Sequence, residues 1–479
     1  MSHLEEVQLL GNQPPERFVR LLGAKAVREA MDVAGRIRER MAGRVVWNVN
    51  STAVGGGVAE MLRPILRIAR GMGIDARWLE IRGNPDFFQV TKRLHHALHG
   101  SRGDGSELGE REHRLYEDTL RENARELCAR VRPNDVVLLH DPQTAGLVPS
   151  LLTLGARVAW RCHIGHDSTN EDAELGWGFL KRYLEDVPIF IFTRQSYAPA
   201  YCDHGKSVII QPSIDAFSPK NEDLGDDTVH TILVHTGLVE GPNPPSVSHV
   251  FEREDGTPGR IERRANVVRL GRAPRWDTPL VVQVSRWDPL KDMAGVMKGF
   301  ASLVGGSTPG DAELVLAGPN VQGVTDDPEG AVVFDAVISA WRELPESVRN
   351  RVHLAALPTD DVQENAIIVN ALQRHAAVVV QKSLQEGFGL TVTEAMWKAR
   401  PIVASAVGGI QDQIEDGVHG LLIKDPTDLD AFSAALRKLL ENPKLAKKLG
   451  DAAKERVRER FLGLRHLLQY GDVIERLDS

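Results

Sequence analysis

Cysteine is scarce in this chain. Only Cys128, Cys162 and Cys202 occur among 479 residues, and no two of them form a CxxC pair. Few cysteines without paired spacing are typical of a reducing compartment and argue against a zinc site. We therefore expect a cytoplasmic protein that needs no metal.

Long apolar runs are also missing. No stretch approaches the ~18 residues that a membrane-spanning helix needs, and the N-terminal MSHLEEVQLLGNQPPERF lacks the basic and apolar regions of a signal peptide. These two absences predict a soluble protein with no membrane partner.

The chain also lacks an excess of basic residues. The formal net charge is −8 and no block of lysine or arginine stands out, which argues against nucleic acid as a partner. The glycine turn Gly55–Gly57 does not follow the GxGxxG pattern, and no acidic residue completes a ribose site, so NAD binding is poorly supported. An acidic protein can still bind phosphate in one local pocket.

The chain does contain two successive series of short apolar strands that alternate with helical stretches. This alternation predicts an α/β protein with two Rossmann-like, doubly wound parallel-sheet domains, and ligands are expected at the carboxyl ends of the strands in a central cleft. The expected divisions are a helical N-terminal extension (1–42), a first Rossmann-like domain (43–220), a linker with an insertion (221–278), a second Rossmann-like domain (279–455) and a C-terminal helix that packs back on the first domain (456–479).

The stretch SRWDPLKD follows the first strand of the second series and contains two cations. Arg286 and Lys291 lie just past the strand end, where a diphosphate would need cations to offset its charge. Taken alone, the same pattern fits a solvated turn with two surface cations.

The stretch LQEGFGLTVTEAMWKARPIVAS combines two acids with a glycine turn. Glu386 follows an apolar strand, and Gly387 and Gly389 allow the backbone to approach a ligand closely. A helix predicted from Leu390 would direct its first amide groups at an anion, with Glu394 in its first turn facing the same site. The alternative is that the acids only cap a turn and complement the helix dipole.

Polar residues also end two strands of the first series. His140 and Asp141 end one strand and His163 ends the next, while the turn Gly55–Gly57 precedes a helix. Because parallel strands end at the same edge of a sheet, these residues are expected to line one crevice.

Together these motifs resemble the retaining GT-B glycosyltransferases with a Glu-x7-Glu signature, and among them the trehalose glycosyltransferring synthases. The similarity covers about residues 44–215 and 279–460. The motifs that carry it are VNSTAVGGGVAEML, NPDFFQVTKRLHHALHG, HDPQTAGL, WRCHI, SRWDPLKD, TDDPEG, EGFGLTVTEAMWKARPIVASAVGGI and DGVHGLLI.

The resemblance implies a role for each candidate residue. It assigns the donor diphosphate to Arg286 and Lys291, the ribose to Glu394 and the acceptor to His140, Asp141 and Asn84. It further implies that the donor glucose and phosphate are bound by Glu386 with Gly387, Phe388, Gly389 and Leu390. His163 is expected to contact the donor sugar near the reacting carbon. The loop with Gly56 and Gly57 is expected to close over the leaving phosphate.

The implied reaction is transfer of glucose from UDP-, ADP- or GDP-glucose to glucose, giving trehalose with retained configuration and without a cofactor. Three alternatives stay open: a trehalose phosphorylase, a glucosyltransferase with another small acceptor, and a sugar-nucleotide-binding protein without turnover. The long N-terminal arm is compatible with an added contact in a homodimer.

Overall fold

The computed structural model describes residues 3–53, 56–242, 250–253, 255–305, 311–321 and 328–478. The chain divides into two units. Unit 1 contains Met1–Ser213 and Arg460–Ser479, and unit 2 contains Ile214–Glu459. The C-terminal segment thus belongs to the same unit as the N-terminal half.

Unit 1 is built around a seven-stranded sheet with the order β1-β3-β2-β4-β5-β6-β7, in which only β1 runs antiparallel among the described strands. Its strands are β1 Leu4–Glu6, β2 Val46–Asn50, β3 Ala76–Ile81, β4 Val136–His140, β5 Arg157–Cys162, β6 Ile189–Phe192 and β7 Ser207–Ile209.

Unit 2 repeats this plan with the order β10-β13-β12-β11-β14-β15-β16, in which β10 is antiparallel, and it adds a separate antiparallel pair, β8 with β9. The strands are β8 Val250–Glu252, β9 Pro258–Arg260, β10 Asn266–Val268, β11 Leu280–Val284, β12 Glu313–Pro319, β13 Val352–Leu357, β14 Val378–Gln381, β15 Ile402–Ser405 and β16 Leu421–Ile423.

Helices connect the parallel strands, as crossover connections require. They are α1 Val19–Arg40, α2 Gly57–Gly71, α3 Pro85–Leu98, α4 Glu110–Arg130, α5 Val148–Leu154, α6 Glu171–Leu184, α7 Asp226–His235, α8 Met293–Gly305, α9 Pro328–Arg342, α10 Glu346–Arg349, α11 Val362–His375, α12 Leu390–Trp397, α13 Ile410–Gln413, α14 Leu429–Leu440, α15 Pro443–Arg460 and α16 Gly463–Leu477. Short 3-10 turns include Pro15–Phe18, Pro142–Leu147, Gln195–Tyr197, His204–Lys206 and Pro289–Lys291.

Both faces of the unit 1 sheet are covered, which explains why its central strands are mostly buried. On one face, α2 presents Leu62, Ile65 and Leu66 at helical spacing toward the sheet. The same core contains Tyr470 and Ile474 of α16, which packs against α1 and α2. The C-terminal helix is therefore part of the unit 1 core and not an appendage.

The prediction of two α/β domains with doubly wound parallel sheets is confirmed. Sequence reasoning missed the edge strands β1 and β10 and the helix α7, which lies in the stretch expected to be a linker and insertion. Residues 428–461 contain two helices, α14 and α15, because Pro443 cannot donate a backbone hydrogen bond and instead begins α15.

Candidate functional site

The carboxyl ends of β11 and β14 meet at the switch point of the unit 2 sheet, where the strand order reverses. The loops that follow these strands are joined directly by Leu384 N, which donates to Leu290 O at 2.8 Å. Gln283 of β11 bonds to both loops, since its Nε2 donates to Lys291 O at 2.8 Å and its Oε1 accepts from Lys382 N at 3.3 Å. Ligands of doubly wound sheets bind at such switch points. This edge is therefore the candidate site of unit 2.

Lys291 and Glu386 form an ion pair at this edge. Lys291 Nζ lies 2.7 Å from Glu386 Oε2, which also accepts a hydrogen bond from Ser383 Oγ at 3.2 Å. The side chains are only 14% and 12% exposed, so water screens the pair less than a surface ion pair. The fold thus holds a lysine and a carboxylate in one defined geometry.

A second ion pair fixes the turn that carries Lys291. Lys382, whose side chain is 1% exposed, pairs with Asp292, and Asp292 Oδ1 accepts from Gly295 N at 3.0 Å at the start of α8. Asp292 itself has a φ of 46°, in the left-handed region. A buried lysine is stable only when it is paired, so this contact ties the two loops together.

The glycine turn before α12 brings backbone close to Glu386. Gly389 has a φ of 86° and precedes the first residue of the helix, and a Cβ atom on it would lie 3.1 Å from Glu386 Cγ. Gly409 approaches Phe388 in the same way, with a Cβ position 2.7 Å from Phe388 Cα. These close approaches require glycine at both positions, and the first of them places the start of α12 against Glu386.

Arg286 lies apart from this pair. Its side chain is 68% exposed and has a 3.4 Å contact with Asp288 Oδ2. The structure therefore brings together Lys291, Glu386 and the glycine turn, while Arg286 extends from the same loop into solvent.

The expectation that Glu394 lies in the first turn of its helix is wrong. It is the fifth residue of α12, its side chain is 3% exposed, and Oε1 lies 3.1 Å from Lys220 Nζ. Close by, the fully buried Lys398 donates to Glu394 O at 3.1 Å and to Asn221 Oδ1 at 3.0 Å, and burial lowers the pKa of Lys398 to about 7. The Glu394 carboxylate is thus paired with Lys220, a cation that sequence reasoning did not identify.

In unit 1, Asp141 follows β4 in an unusual backbone conformation, with a φ of 62°. Its Oδ1 accepts from His163 N at 2.7 Å, and its backbone N donates to Arg161 O at 2.8 Å. Strained backbone that is held by such contacts is concentrated at functional sites. Burial raises the pKa of the Asp141 carboxyl to about 7.

The raised pKa of Asp141 predicts a pH-dependent stability effect. Between the ordinary value of 3.8 and about 7, the folded protein keeps a proton that the unfolded chain releases, so folding stability is lost as pH rises through this window. Asp141→Asn keeps the acceptor for His163 N but cannot ionise. We expect the Tm difference, variant minus parent, to be near zero at pH 4 and to increase up to pH 8 in a calorimetric series. A difference that is independent of pH would contradict this.

His140 and His163 lie side by side with nearly parallel rings. The ring centroids are 5.5 Å apart, His140 Nδ1 lies 3.2 Å from His163 Nε2, and His140 Nε2 lies 3.1 Å from Asn48 Oδ1. Burial lowers the pKa of His140 to about 3 and that of His163 well below its ordinary value. Both imidazoles are therefore neutral at physiological pH.

The remaining predicted residues of unit 1 lie at helix starts. Gly56 has a φ of 79° and precedes α2, whose first residue is Gly57, and Gly55 lies outside the described residues. Asn84 is exposed and caps α3, with its Oδ1 accepting from Phe87 N at 2.8 Å. Its capping role accounts for the asparagine at this position without a ligand.

Sequence reasoning missed several residues that hold this chemistry in place: Asn48, Lys220, Asp292 and Lys382. Asn48 had a usable signal, since it is a polar side chain flanked by apolar residues in a strand that is buried throughout. The ion pairs of Lys220 and Lys382 link residues 174 and 90 positions apart, and no local pattern reports such contacts.

Comparison with protein families matches both halves of the chain. Residues 48–199 match the family described as "Trehalose synthase, N-terminal domain", and residues 362–456 match "Glycosyl transferases group 1". Within the described part of the chain, no helix is both long and apolar enough to cross a membrane.

Individual relatives agree with these matches. A trehalose synthase of Pyrococcus horikoshii is 35% identical over 467 residues, which are 98% of this chain and 97% of the relative. A trehalose phosphorylase of Pleurotus pulmonarius is 25% identical over 92% of this chain, which spans 58% of that longer relative.

Solved structures show the same fold. The UDP-forming α,α-trehalose-phosphate synthase of Burkholderia xenovorans aligns with a TM-score of 0.65 at 14% identity, covering 91% of this chain and 100% of that one. At this identity the likeness establishes the fold alone, whereas the full-length similarity to the Pyrococcus protein establishes the family. The chain therefore belongs to the trehalose synthase family of glycosyltransferases and has the GT-B fold.

Proposed function

We propose that this enzyme transfers glucose from a nucleoside diphosphate glucose to glucose and produces trehalose with retained anomeric configuration. The observation that carries the proposal is the 35% identity to a trehalose synthase over 98% of the chain. The cation, carboxylate and helix amides at the unit 2 switch point support it, because a diphosphate leaving group needs such a site.

In the proposed reaction, Lys291, Arg286 and the amides of Gly387–Leu390 bind the donor diphosphate and stabilise the charge that develops on it as the glycosidic bond breaks.

The other residues bind the sugars. Glu386 holds Lys291 and binds the donor glucose, and Glu394 binds the ribose. His163 contacts the donor sugar, while Asp141, His140 and Asn84 serve the acceptor. The loop with Gly56 and Gly57 covers the leaving phosphate.

Retention in glycosidases usually relies on a carboxylate nucleophile. In unit 2 both signature carboxylates are engaged by lysines, Glu386 by Lys291 and Glu394 by Lys220. This engagement favours attack on the same face from which the diphosphate leaves, with a leaving phosphate oxygen taking the proton of the incoming hydroxyl. The C1–O bond to the diphosphate breaks as the bond to the acceptor oxygen forms.

The test is a panel of donors and acceptors with the purified enzyme. UDP-, ADP- and GDP-glucose are each combined with glucose, glycerate and a polyol, and NMR of the product reports its anomeric configuration. We expect α,α-linked trehalose from glucose and at least one donor. Binding of a donor without any product in the panel would instead indicate a sugar-nucleotide-binding protein.

The similarity to the Pleurotus trehalose phosphorylase supports a second candidate, phosphorolysis of trehalose. Inorganic phosphate would then replace the nucleoside diphosphate at Lys291 and the helix amides. Incubating trehalose with phosphate, and separately with UDP, ADP or GDP, distinguishes the two. Cleavage with phosphate alone would favour the phosphorylase.

A further inference from the structure

Three polar side chains form a hydrogen-bonded row near the carboxyl edge of the unit 1 sheet. Asn48 lies in the middle of β2, His140 ends β4 and His163 follows β5, which are neighbouring strands. The contacts are Asn48 Oδ1 to His140 Nε2 at 3.1 Å and His140 Nδ1 to His163 Nε2 at 3.2 Å. Asn48 and His140 are 2% and 1% exposed, so water does not compete for these bonds.

The direction of the hydrogen bonds follows from the asparagine. An amide oxygen only accepts, so His140 Nε2 must carry the proton, and in a neutral ring Nδ1 then has the lone pair. That lone pair accepts from His163 Nε2–H, which leaves His163 Nδ1 unprotonated. Among the described residues, none forms a hydrogen bond with His163 Nδ1. In the part of the chain that the structure describes, this nitrogen is thus an available acceptor.

The surroundings of His140 and His163 keep both imidazole rings neutral. Burial is the main cause that lowers the pKa of both His140 and His163, and the positive charge of Arg161 on β5 further opposes a positive charge on either ring. Arg161 is itself fully buried and bonded to His466 Nε2 at 2.8 Å, so its charge cannot move away. The Asp141 carboxylate is directed at the His163 backbone N–H rather than at either ring.

We propose that Asn48 and His140 are positioning residues that hold His163 as the neutral Nε2–H tautomer, so that His163 Nδ1 accepts a hydrogen bond from a hydroxyl of the donor sugar. This rests on the proposed function, in which His163 contacts that sugar. In this arrangement His163 orients the sugar and does not transfer a proton to it.

The tautomer can be measured without substrate. Long-range proton–nitrogen correlation NMR on protein labelled with 15N-histidine distinguishes protonated from unprotonated ring nitrogens, and loss of signals in His140→Gln and His163→Asn assigns them. We expect both rings in the Nε2–H form from pH 6 to pH 8. A His163 ring protonated at Nδ1, or charged in this range, would overturn the proposal.

The substitution Asn48→Leu tests whether the tautomer of His163 matters for catalysis. Asn48→Leu removes the acceptor, so His163 should lose its tautomer preference and kcat/KM should decrease about 10-fold to 100-fold, as for other partners that orient a functional imidazole. His113→Gln is the matched control, because His113 is also a buried histidine of unit 1 with one hydrogen bond, to Tyr183 OH. It should keep the kcat/KM of the parent.

Asn48→Asp should create a pH dependence that the parent lacks. When the introduced carboxylate and His140 together take up one proton, on either group, His140 Nδ1 becomes a donor and His163 is driven to the Nδ1–H form. Activity of this variant should therefore decrease as pH is lowered from 8 to 6, while the parent changes little.

The outcomes separate this proposal from the proposed function. If Asn48→Leu alters the His163 tautomer but kcat/KM for trehalose formation stays at the parent value, the positioning role is overturned while glucosyl transfer stands. If the donor panel yields no product, the proposed function fails, and the NMR measurement on the free protein still decides whether the tautomer is held. Tm values of both variants establish that they are folded.

Discussion

An Arg286→Ala enzyme should fold as the parent does and turn over ~10²- to 10³-fold more slowly, the range found when one preorganised donor to developing charge is removed. The fold should be unaffected because the side chain is 68% exposed and its 3.4 Å contact with Asp288 is a surface ion pair. The expected loss in kcat arises because the guanidinium can bind two phosphate oxygens, and these gain charge as the donor bond breaks.

The matched control for Arg286 is Arg272→Ala. Arg272 is another exposed arginine of unit 2, 88% exposed with a 3.9 Å contact to Glu240. Steady-state kinetics at saturating donor, together with thermal unfolding, should show a loss of kcat only in the Arg286 variant. A folded Arg286→Ala protein with near-parental kcat would remove Arg286 from the donor site.

Replacing Lys291 by methionine should have an effect of similar size on kcat, again about 10²- to 10³-fold. Methionine keeps much of the volume of the aliphatic chain but removes the ammonium group that lies 2.7 Å from Glu386. The loss should be mainly in kcat, because the charge that Lys291 meets is greatest once the diphosphate has begun to leave. Lys298→Met, on the exposed side of α8, is the control and should retain full activity.

A double variant separates the charge of Lys291 from its contact with Glu386. Methionine at 291 removes the ammonium group that holds the Glu386 carboxylate, which also accepts from Ser383 Oγ at 3.2 Å, so a misplaced carboxylate could contribute to the defect. If Lys291 acts on the diphosphate, adding Glu386→Gln to Lys291→Met should not restore kcat. Recovery to within about threefold of Glu386→Gln alone would show that Lys291 only positions Glu386.

The fold could be predicted from the sequence because its signals are local. The alternation of short apolar strands with helices and the glycine turn before α12 were both evident from short runs of residues. The edge strands β1 and β10 have only three residues each, too few to show a period, and their pairing partners lie about 75 and 88 positions away. Helix α7 was missed because the turn-rich residues around it outweighed its ten helical residues.

The sequence predicted which residues belong to the candidate site better than it predicted which of them contact each other. Lys291, Glu386 and Gly389 were expected at one rim, and they lie together. Arg286 was expected beside Lys291, but in the structure it extends into solvent. Two cations five positions apart on an irregular turn can point in different directions, and chain spacing does not determine which one faces the rim.

The sequence by itself determined the two α/β domains, the rims that carry polar residues and the glycines that permit close backbone approach, since each of these depends on neighbouring residues. Only the tertiary structure decided that Lys291 pairs with Glu386, that Lys220 pairs with Glu394, and that His140 contacts both Asn48 and His163. These contacts join residues between 23 and 174 positions apart, so they depend on how the sheets order their strands and on the burial that makes a partner necessary.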